Sequence, residues 1–559
     1  MKNNSMRKTV LIVLISLICF QVNAQSDTSW HWYTPTQIEG QGFSVAAKYD
    51  RLPAKAEKTV PPKVWNLSRE SAGLSVRFRT SAPDIVVRYV VSGKLDMPHM
   101  PATGASGVDL YSIDPNGEWK WSAGKYNFGD TITYRFSGMS KDVGEYRLYL
   151  PLYNTVKWLE IGTAGNDSIH FLPLRREKPI VVYGTSIAQG GCASRPGLAW
   201  GNQLERIMDR PLINLGFSGN GKLDPLVTAL LTEIDAKIYV LDCLPNISGL
   251  PANEITDRVL TAVKQIRKVR PATPVLLVEH ARITGNTALE AAYEQLLVNG
   301  EKQLYLLPAA QLGLGMESTV DGTHPNDIGM QQYANGYAQV LRQIFHEPAG
   351  NINTTIPCRQ YRELVRYDWD LRHNIQLAMN QQSGPKVVII GNSITHFWGG
   401  EPAGPIARGT DSWPAGARNM GFGWDRIENV LWRVYHDELD GFEAKKIVIM
   451  IGTNNLQMNN DPAIIAGLQQ LIIAIRERQP KAAILLAGIL PRVDMAERVT
   501  QINKSILQLA GSQQVQFINP GQVLLKGDMT PDSTLFTDGL HPNNIGYSKL
   551  AGYLQPYLK

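Results

Sequence analysis

The stretch Val181-Val182-Tyr183-Gly184-Thr185-Ser186-Ile187-Ala188-Gln189-Gly190 decides the fold. A short apolar run rich in β-branched residues ends in glycine, and a serine follows before small and polar residues resume. A parallel strand buried on both faces reads as such a run, and its end delivers a hydroxyl into a turn. The chain writes the pattern again at 387–400, V-V-I-I-G-N-S-I-T-H-F-W-G-G, with Ser393 in the place of Ser186.

Outward from Ser186, short apolar strands are predicted at 179–183, 212–215, 238–241, 275–278 and 304–307, with helical stretches such as 226–234 and 254–269 between them. Around Ser393 the strands fall at 386–390, 417–420, 446–451, 483–487 and 515–518. Alternation of this kind means a parallel sheet covered by helices on both faces. The expected fold class is therefore α/β in tandem, 173–348 and 349–559, the second copy entered through a loop with Pro348, Gly350 and Pro357 and a helical linker at 359–380.

Residues 25–172 read as all β. Positions 74–79 alternate strictly, 85–91, 131–136 and 146–150 continue the pattern, and turn residues separate them, which predicts a two-sheet β-sandwich. Trp30, Trp32, Trp65, Trp119 and Trp121 could stack on sugar rings, but a sandwich also buries tryptophan, and its core is their expected place. The block Gly107-Val108-Asp109-Leu110-Tyr111 resembles a motif of small β modules that precede esterase domains in secreted proteins of Bacteroidetes type.

At 559 residues the chain is too long for one core, and its 43% hydrophobic and 19% charged content is that of an ordinary globular protein. Lys2, Arg7 and Lys8, the apolar run 10–20 and the small residues near Ala24 predict an export signal over 1–24 and a periplasmic or extracellular chain. No segment is long and apolar enough to predict a membrane span. Taking the three positive charges of the signal from the formal +5 leaves +2, which makes no electrostatic case for nucleic acid. Cys192, Cys243 and Cys358 remain after cleavage. Cys192 and Cys243 lie beyond neighbouring strand ends, so they form either a disulfide or two buried thiols. No spacing suits a metal.

Near the end of each copy stands a matching loop: Asp321-Gly322-Thr323-His324-Pro325-Asn326 and Asp538-Gly539-Leu540-His541-Pro542-Asn543. An aspartate three residues before a histidine can hold the imidazole by one nitrogen while the other faces a serine. One Asp-x-x-His is weak evidence. Two of them, 138 and 148 residues after strand-end serines, are strong.

On these blocks the chain resembles the SGNH or GDSL hydrolases, over about 173–345 and 386–558. The resemblance implies flavodoxin-like three-layer domains, a nucleophilic serine, a block-two glycine, a block-three asparagine and the terminal Asp-x-x-His. In the first copy these fall on Ser186, Gly219 within N-L-G-F-S-G-N-G, Asn246 within L-D-C-L-P-N, Asp321 and His324. In the second they fall on Ser393, Asn454 within I-G-T-N-N, Asp538 and His541, with Trp424 in N-M-G-F-G-W-D-R where the family places its oxyanion glycine. That run resembles the subgroup containing platelet-activating-factor acetylhydrolase. A bulky Trp424 must point away from the acyl pocket or line it. Asn220 replaces the aspartate that commonly follows the block-two glycine.

The implied chemistry is a serine acyl-enzyme mechanism with no cofactor and no metal. The expected substrate is a short acyl ester on carbohydrate, an acetylated glycan such as an acetylated sialate or plant polysaccharide, with Trp398 and Trp424 closing a small pocket. The alternatives are a lipase, lysophospholipase or thioesterase, and a glycan-binding protein with one inert hydrolase copy. Glu279, His280 and Arg282 in the first copy and Arg492 in the second follow strand ends, where they reach substrate or are simply solvated.

Overall fold

The computed structural model describes residues 29–165, 167–281, 285–399 and 410–559. The proposed export signal and Arg282 lie outside the described residues.

Residues 29–171 carry ten strands in two antiparallel sheets of five. One runs in the order Trp30–Tyr33, Val156–Ala164, Asp84–Val91, Ile132–Ser137, Lys125–Asn127, and the other in the order His170–Phe171, Ser75–Arg79, Glu145–Tyr149, Asp109–Ile113, Trp119–Ser122. Side chains one residue in two, Val76, Phe78 and Leu148 from one sheet and Ile85, Val87 and Ile161 from the other, pool in a single core. Several of the intervening residues of the second sheet do not meet solvent. Arg77, Glu145 and Arg147 are buried on its outer face.

Each α/β domain has a five-stranded parallel sheet, with the strand that carries the serine second in the order. In the first domain the order is Leu212–Gly216, Ile180–Gly184, Ile238–Asp242, Val275–Val278, Leu304–Leu307. In the second it is Ala417–Gly421, Val387–Gly391, Lys446–Met450, Ala483–Ala487, Gln516–Ile518. The registers match residue for residue: Gly184 pairs Gly216 and Asp242, and Gly391 pairs Gly421 and Met450. Alternate strand residues feed separate helix-covered cores on the two faces. Val181 and Tyr183 enter one, and Ile180 and Val182 the other.

The linker helix begins later than its sequence suggests, at Trp369–Gln382, where Asp368 caps it by accepting from the Leu371 amide at 3.0 Å. The preceding residues stay irregular because their side chains are spent on long-range contacts. Arg359 reaches Asp209 of the first domain (2.6 Å) and Glu145 of the β module (2.9 Å). Glu145 also takes Arg77 at 2.8 Å and Arg147 at 2.7 Å, and Arg147 meets Glu205 of the first domain at 3.1 Å. Burial alone would raise the Glu145 carboxyl, but the guanidinium groups of Arg147, Arg77 and Arg359 hold it well below the ordinary range. Asp209 accepts in addition from the Trp432 indole of the second domain at 3.0 Å, so three units meet on one carboxylate.

The paired cysteines do not form. Cys192 and Cys243 are both free and buried. Cys243 belongs to the core beneath its strand and its thiol donates to the Tyr183 carbonyl, whereas Cys192 lies near Asp321 in the loop past the serine, with burial pushing its thiol up to about 11.

Removing one partner from a buried ion cluster strands the others without counter-charge. Arg359→Ala is expected to cost about 3 to 5 kcal/mol, read from the denaturant midpoint. Arg366→Ala, whose side chain is half exposed, should stay within about 0.5 kcal/mol.

Candidate active site

Both serines sit on the same local device. Gly184 ends its strand where an added Cβ would lie 2.5 Å from the Ala188 side chain and 2.9 Å from the Asp242 carbonyl, so only glycine lets the next turn pack down. Thr185 then caps a one-turn helix, Ser186–Gln189, by accepting from the Ile187 amide at 3.3 Å. In the second domain Gly391 is held against Thr395 and the Met450 carbonyl, and Asn392 caps Ser393–Gly399 by accepting from Ile394 at 2.9 Å.

The histidine loops are equally matched. Asn326 caps the helix Asp327–Phe345 and donates back to the Glu317 carbonyl at 2.7 Å. Asn543 caps Asn544–Leu558 and donates to the Thr534 carbonyl at 2.8 Å. The aspartate of each loop accepts from its histidine's backbone amide, at 2.8 Å for Asp321 and 2.7 Å for Asp538, which turns its other oxygen to the imidazole. His324 Nδ1 lies 2.7 Å from Asp321 and its Nε2 lies 2.8 Å from Ser186 Oγ. His541 Nδ1 lies 2.7 Å from Asp538 and its Nε2 lies 2.9 Å from Ser393 Oγ. Burial raises the Asp321 carboxyl, but hydrogen bonds from the backbone and imidazole of His324 and from the Thr323 amide outweigh it and hold the group at about 2. The carboxylate is thus ionised at neutral pH.

The block-two residues adopt one conformation in both copies. Gly219 has φ +67° and Trp424 has φ +61°, so tryptophan occupies a left-handed position that favours glycine, at a strain of about 1 to 3 kcal/mol. The Trp424 ring is 41% exposed and leaves the loop outward. Asn246 Oδ1 accepts from the Gly221 amide at 3.1 Å, and Asn454 Nδ2 donates to the Asp425 carbonyl at 3.0 Å, so each block-three carboxamide is tied to the block-two loop. Asn220 folds its side chain onto the Ser218 carbonyl (2.8 Å), whereas its counterpart Asp425 is buried against Arg433 and Trp369.

Other expectations change. Trp398 is fully buried, stacked on Tyr547 and edge-on to Trp413, so it is core and closes no pocket. Glu279 is buried and accepts from the Ala309 amide. His280 is held by Asp242 at 2.5 Å and the Tyr333 hydroxyl at 2.8 Å, using both ring nitrogens. Arg492 pairs bidentately with Asp494 and donates to the Thr453 carbonyl, steadying the block-three loop. A cavity of about 220 Å³ lies between Ile187, the residue after Ser186, and the histidine loop at Thr323, with Ser248, His280 and Tyr333 on its wall. His280 and Tyr333 of this wall, and Asp242 that holds His280, correspond to Ile489, Leu550 and Met450, so this polar wall belongs to the first copy alone.

Single motifs did not reveal the residues that fix the block-two loop. Gln189 Oε1 accepts from the Ser218 amide at 2.9 Å, and His396, three residues past its own serine as Gln189 is, accepts from Gly423 at 3.2 Å. Asn214 and Asn419 clasp strand end to elbow, donating to Ala188 (2.7 Å) and Thr395 (2.9 Å). The shared Asn in N-L-G-F and N-M-G-F carried that signal.

Two matching Ser–His–Asp groupings, each on a parallel-sheet domain, point to the class. Residues 177–342 and 389–549 each match the GDSL-like lipase/acylhydrolase family, and residues 29–169 match a domain described as the N-terminus of SGNH-hydrolase-type esterases. Human platelet-activating factor acetylhydrolase IB subunit alpha1 is 27% identical over 200 residues, covering 34% of this chain and 82% of the relative. The bovine alpha2 subunit is 27% identical over 192 residues, 33% of this chain and 80% of its own. A solved structure from Bacteroides ovatus, described as a GDSL-like lipase, is 33% identical with a TM-score of 0.53, over 57% of this chain and 98% of that one. The chain belongs to the SGNH/GDSL hydrolase family, with two copies of the hydrolase domain, and is a carboxylic ester hydrolase.

His396 is buried, and burial, then Arg372 and Arg433, lower its pKa to about 2. The unfolded imidazole titrates near 6.5, so below that pH the unfolded chain binds the proton and the folded one does not. Stability from this group is full above about pH 6.5 and falls as the pH drops toward 2. His396→Gln, copying Gln189, should lose less melting temperature between pH 7.5 and pH 5 than the parent does.

Proposed function

We propose that both domains are working serine esterases that remove short acyl groups, acetyl above all, from carbohydrate outside the cytoplasm. The observation that carries this reading is the pair of independently assembled Ser–His–Asp relays, each with both hydrogen bonds between 2.7 and 2.9 Å.

In each relay the aspartate holds the histidine as the tautomer whose Nε2 can accept the serine proton. The serine oxygen attacks the ester carbonyl, and negative charge develops on the carbonyl oxygen. The amides of Ser186 and Gly219 with the Asn246 carboxamide stabilise it in one site, and those of Ser393 and Trp424 with Asn454 in the other. The histidine returns its proton to the departing sugar oxygen, and water repeats the sequence on the acyl-enzyme. Trp424 donates through its backbone, so its side chain is no obstacle.

A short acyl group suits the small, polar-walled cavity of the first domain, and the relatives' name, acetylhydrolase, agrees. Trp121 favours a sugar leaving group. Its ring is 49% exposed, its indole donates to Asp109 at 2.6 Å, and the Arg195 guanidinium stacks on it at 4.2 Å. Such a fixed aromatic face suits a pyranose ring. It stands beside the catalytic loops, since the neighbouring Ser194 amide donates to Asp327, three residues past His324. The export signal read at 1–24 agrees with an extracellular glycan.

Ser186→Ala and Ser393→Ala should each retain part of the activity and the double variant none, with nitrophenyl esters peaking at C2 and acetate released from acetylated xylan, pectin or sialoglycan. A maximum at C8 or longer would replace this reading with a lipase, and glycan affinity without acetate release would make the chain a binding protein. Trp121→Ala is expected to raise KM on the acetylated polysaccharide about tenfold while leaving nitrophenyl acetate turnover unchanged.

A further inference from the structure

Each oxyanion loop is gripped from outside its own domain. In the first domain Arg51, from the β module, is 1% exposed and makes four hydrogen bonds to backbone carbonyls. Two of these are to its own module, at Glu70 (2.7 Å) and Leu67 (2.7 Å). The other two cross to Asn214 (3.1 Å) and Gly216 (2.8 Å), the end of the strand that feeds the loop at Gly219. In the second domain the matching carbonyls are those of Asn419 and Gly421. Arg372 of the linker helix donates to Gly421 at 2.9 Å, and Gln376, one turn on, donates to Asn419 at 3.0 Å. The guanidinium also lies over the matching ring in each case, Arg51 5.1 Å from Phe217 and Arg372 5.0 Å from Phe422.

The two arginines come from unrelated places in the chain. Arg51 sits in a bend 165 residues before Gly216, and Arg372 sits on a helix 49 residues before Gly421. One comes from an all-β module and the other from a helix, yet they end on the same carbonyl and the same ring. Burial lowers both from the ordinary guanidinium range to about 10, so each is buried at a real desolvation cost.

The contact bears on a tightly packed junction. A Cβ at Gly216 would lie 2.3 Å from the Gln189 amide nitrogen, and one at Gly421 would lie 2.4 Å from that of His396, so the strand end rests directly on the elbow helix that carries the serine. Three residues later comes the donor at Gly219 or Trp424. A guanidinium pulling on the strand-end carbonyls therefore sets the distance between the serine and the oxyanion amide. The neighbouring modules reinforce the same junction of loop and elbow. Tyr367 and Gln360 donate to the Gly423 carbonyl at 2.7 and 2.8 Å in the second domain, and Tyr153 donates to the Ser186 carbonyl at 3.2 Å in the first.

We propose that Arg51 and Arg372 are positioning residues that align the oxyanion hole of the first and second domain respectively, each supplied by the module that precedes the domain it serves. This rests on both serines being nucleophiles. A donor displaced by about an ångström loses transition-state stabilisation while substrate binding is little changed, so kcat carries the effect.

The test uses the full chain with one serine removed, so that one site turns over nitrophenyl acetate. In the Ser393→Ala background, Arg51→Ala is expected to lower kcat about 10- to 100-fold with KM within about threefold, and to slow phosphonylation of Ser186 by a fluorophosphonate by a similar factor. Arg372→Ala should do the same to Ser393 in the Ser186→Ala background. Arg51→Lys, which keeps a charged donor, should recover part of the loss, as should added guanidinium. Counting phosphonylated serines corrects for any unfolded fraction. An unchanged kcat per titrated serine would make the arginine mere packing, and an equal loss at both sites would make its effect global; either overturns the proposal. A Ser393→Ala parent without turnover would overturn the reading of Ser186 and the brace with it, whereas an active parent matched by Arg51→Ala overturns the brace alone.

Discussion

The structure depends on charges that have nowhere else to go. Glu145, Arg147 and Arg359 are fully buried, and a buried charge is tolerable only when partners surround it. Those partners come from different parts of the chain: Arg77 from the β module, Asp209 from the first hydrolase domain, Arg359 from the linker, and Trp432 of the second domain closes on Asp209. The β module pairs Arg77 and Arg147 with its own Glu39 and Glu145, and Arg359 ties that cluster to the linker and to Asp209 of the first domain. The cluster therefore helps fix where the β module and linker lie, and with them Arg51 and Arg372, which reach the strand ends ahead of the two block-two loops.

The two hydrolase copies show which parts of the site are chemistry and which are adjustable. Elbow glycine, cap residue, serine, strand-end asparagine, histidine loop and left-handed donor recur at matching places. What differs is what surrounds them. Gln189 and His396 meet the same amide with different acceptors, and the hydrogen-bonded set Asp242, His280 and Tyr333 becomes Met450, Ile489 and Leu550. The Ser–His–Asp arrangement is kept while the ground beside it changes polarity.

Much of this was legible in the sequence, and the limits have a physical cause. The strands around Ser186 and Ser393 are short apolar runs, and the Asp-x-x-His loops are local, so both could be read from neighbouring residues. The alternation at 74–79 gave a strand, but pattern alone cannot show that another module covers the face of Arg77. Trp398 looked like pocket lining and is core, since Tyr547 and Trp413 meet it only after folding. The thiols of Cys192 and Cys243 stay apart because one turns into the core. Arg51 and Arg372 carry no motif at all; their partners lie 165 and 49 residues away.

The irregular stretch between Cys358 and Asp368 has a practical meaning for anyone dividing the chain. By strand count the second hydrolase domain starts at Val387, and a fragment cut there would contain every residue of its relay. It would also lack Gln360, Tyr367 and Arg372, leaving the carbonyls of Gly421 and Gly423 without the donors that hold them. The unit of inheritance for this site is longer than its sheet.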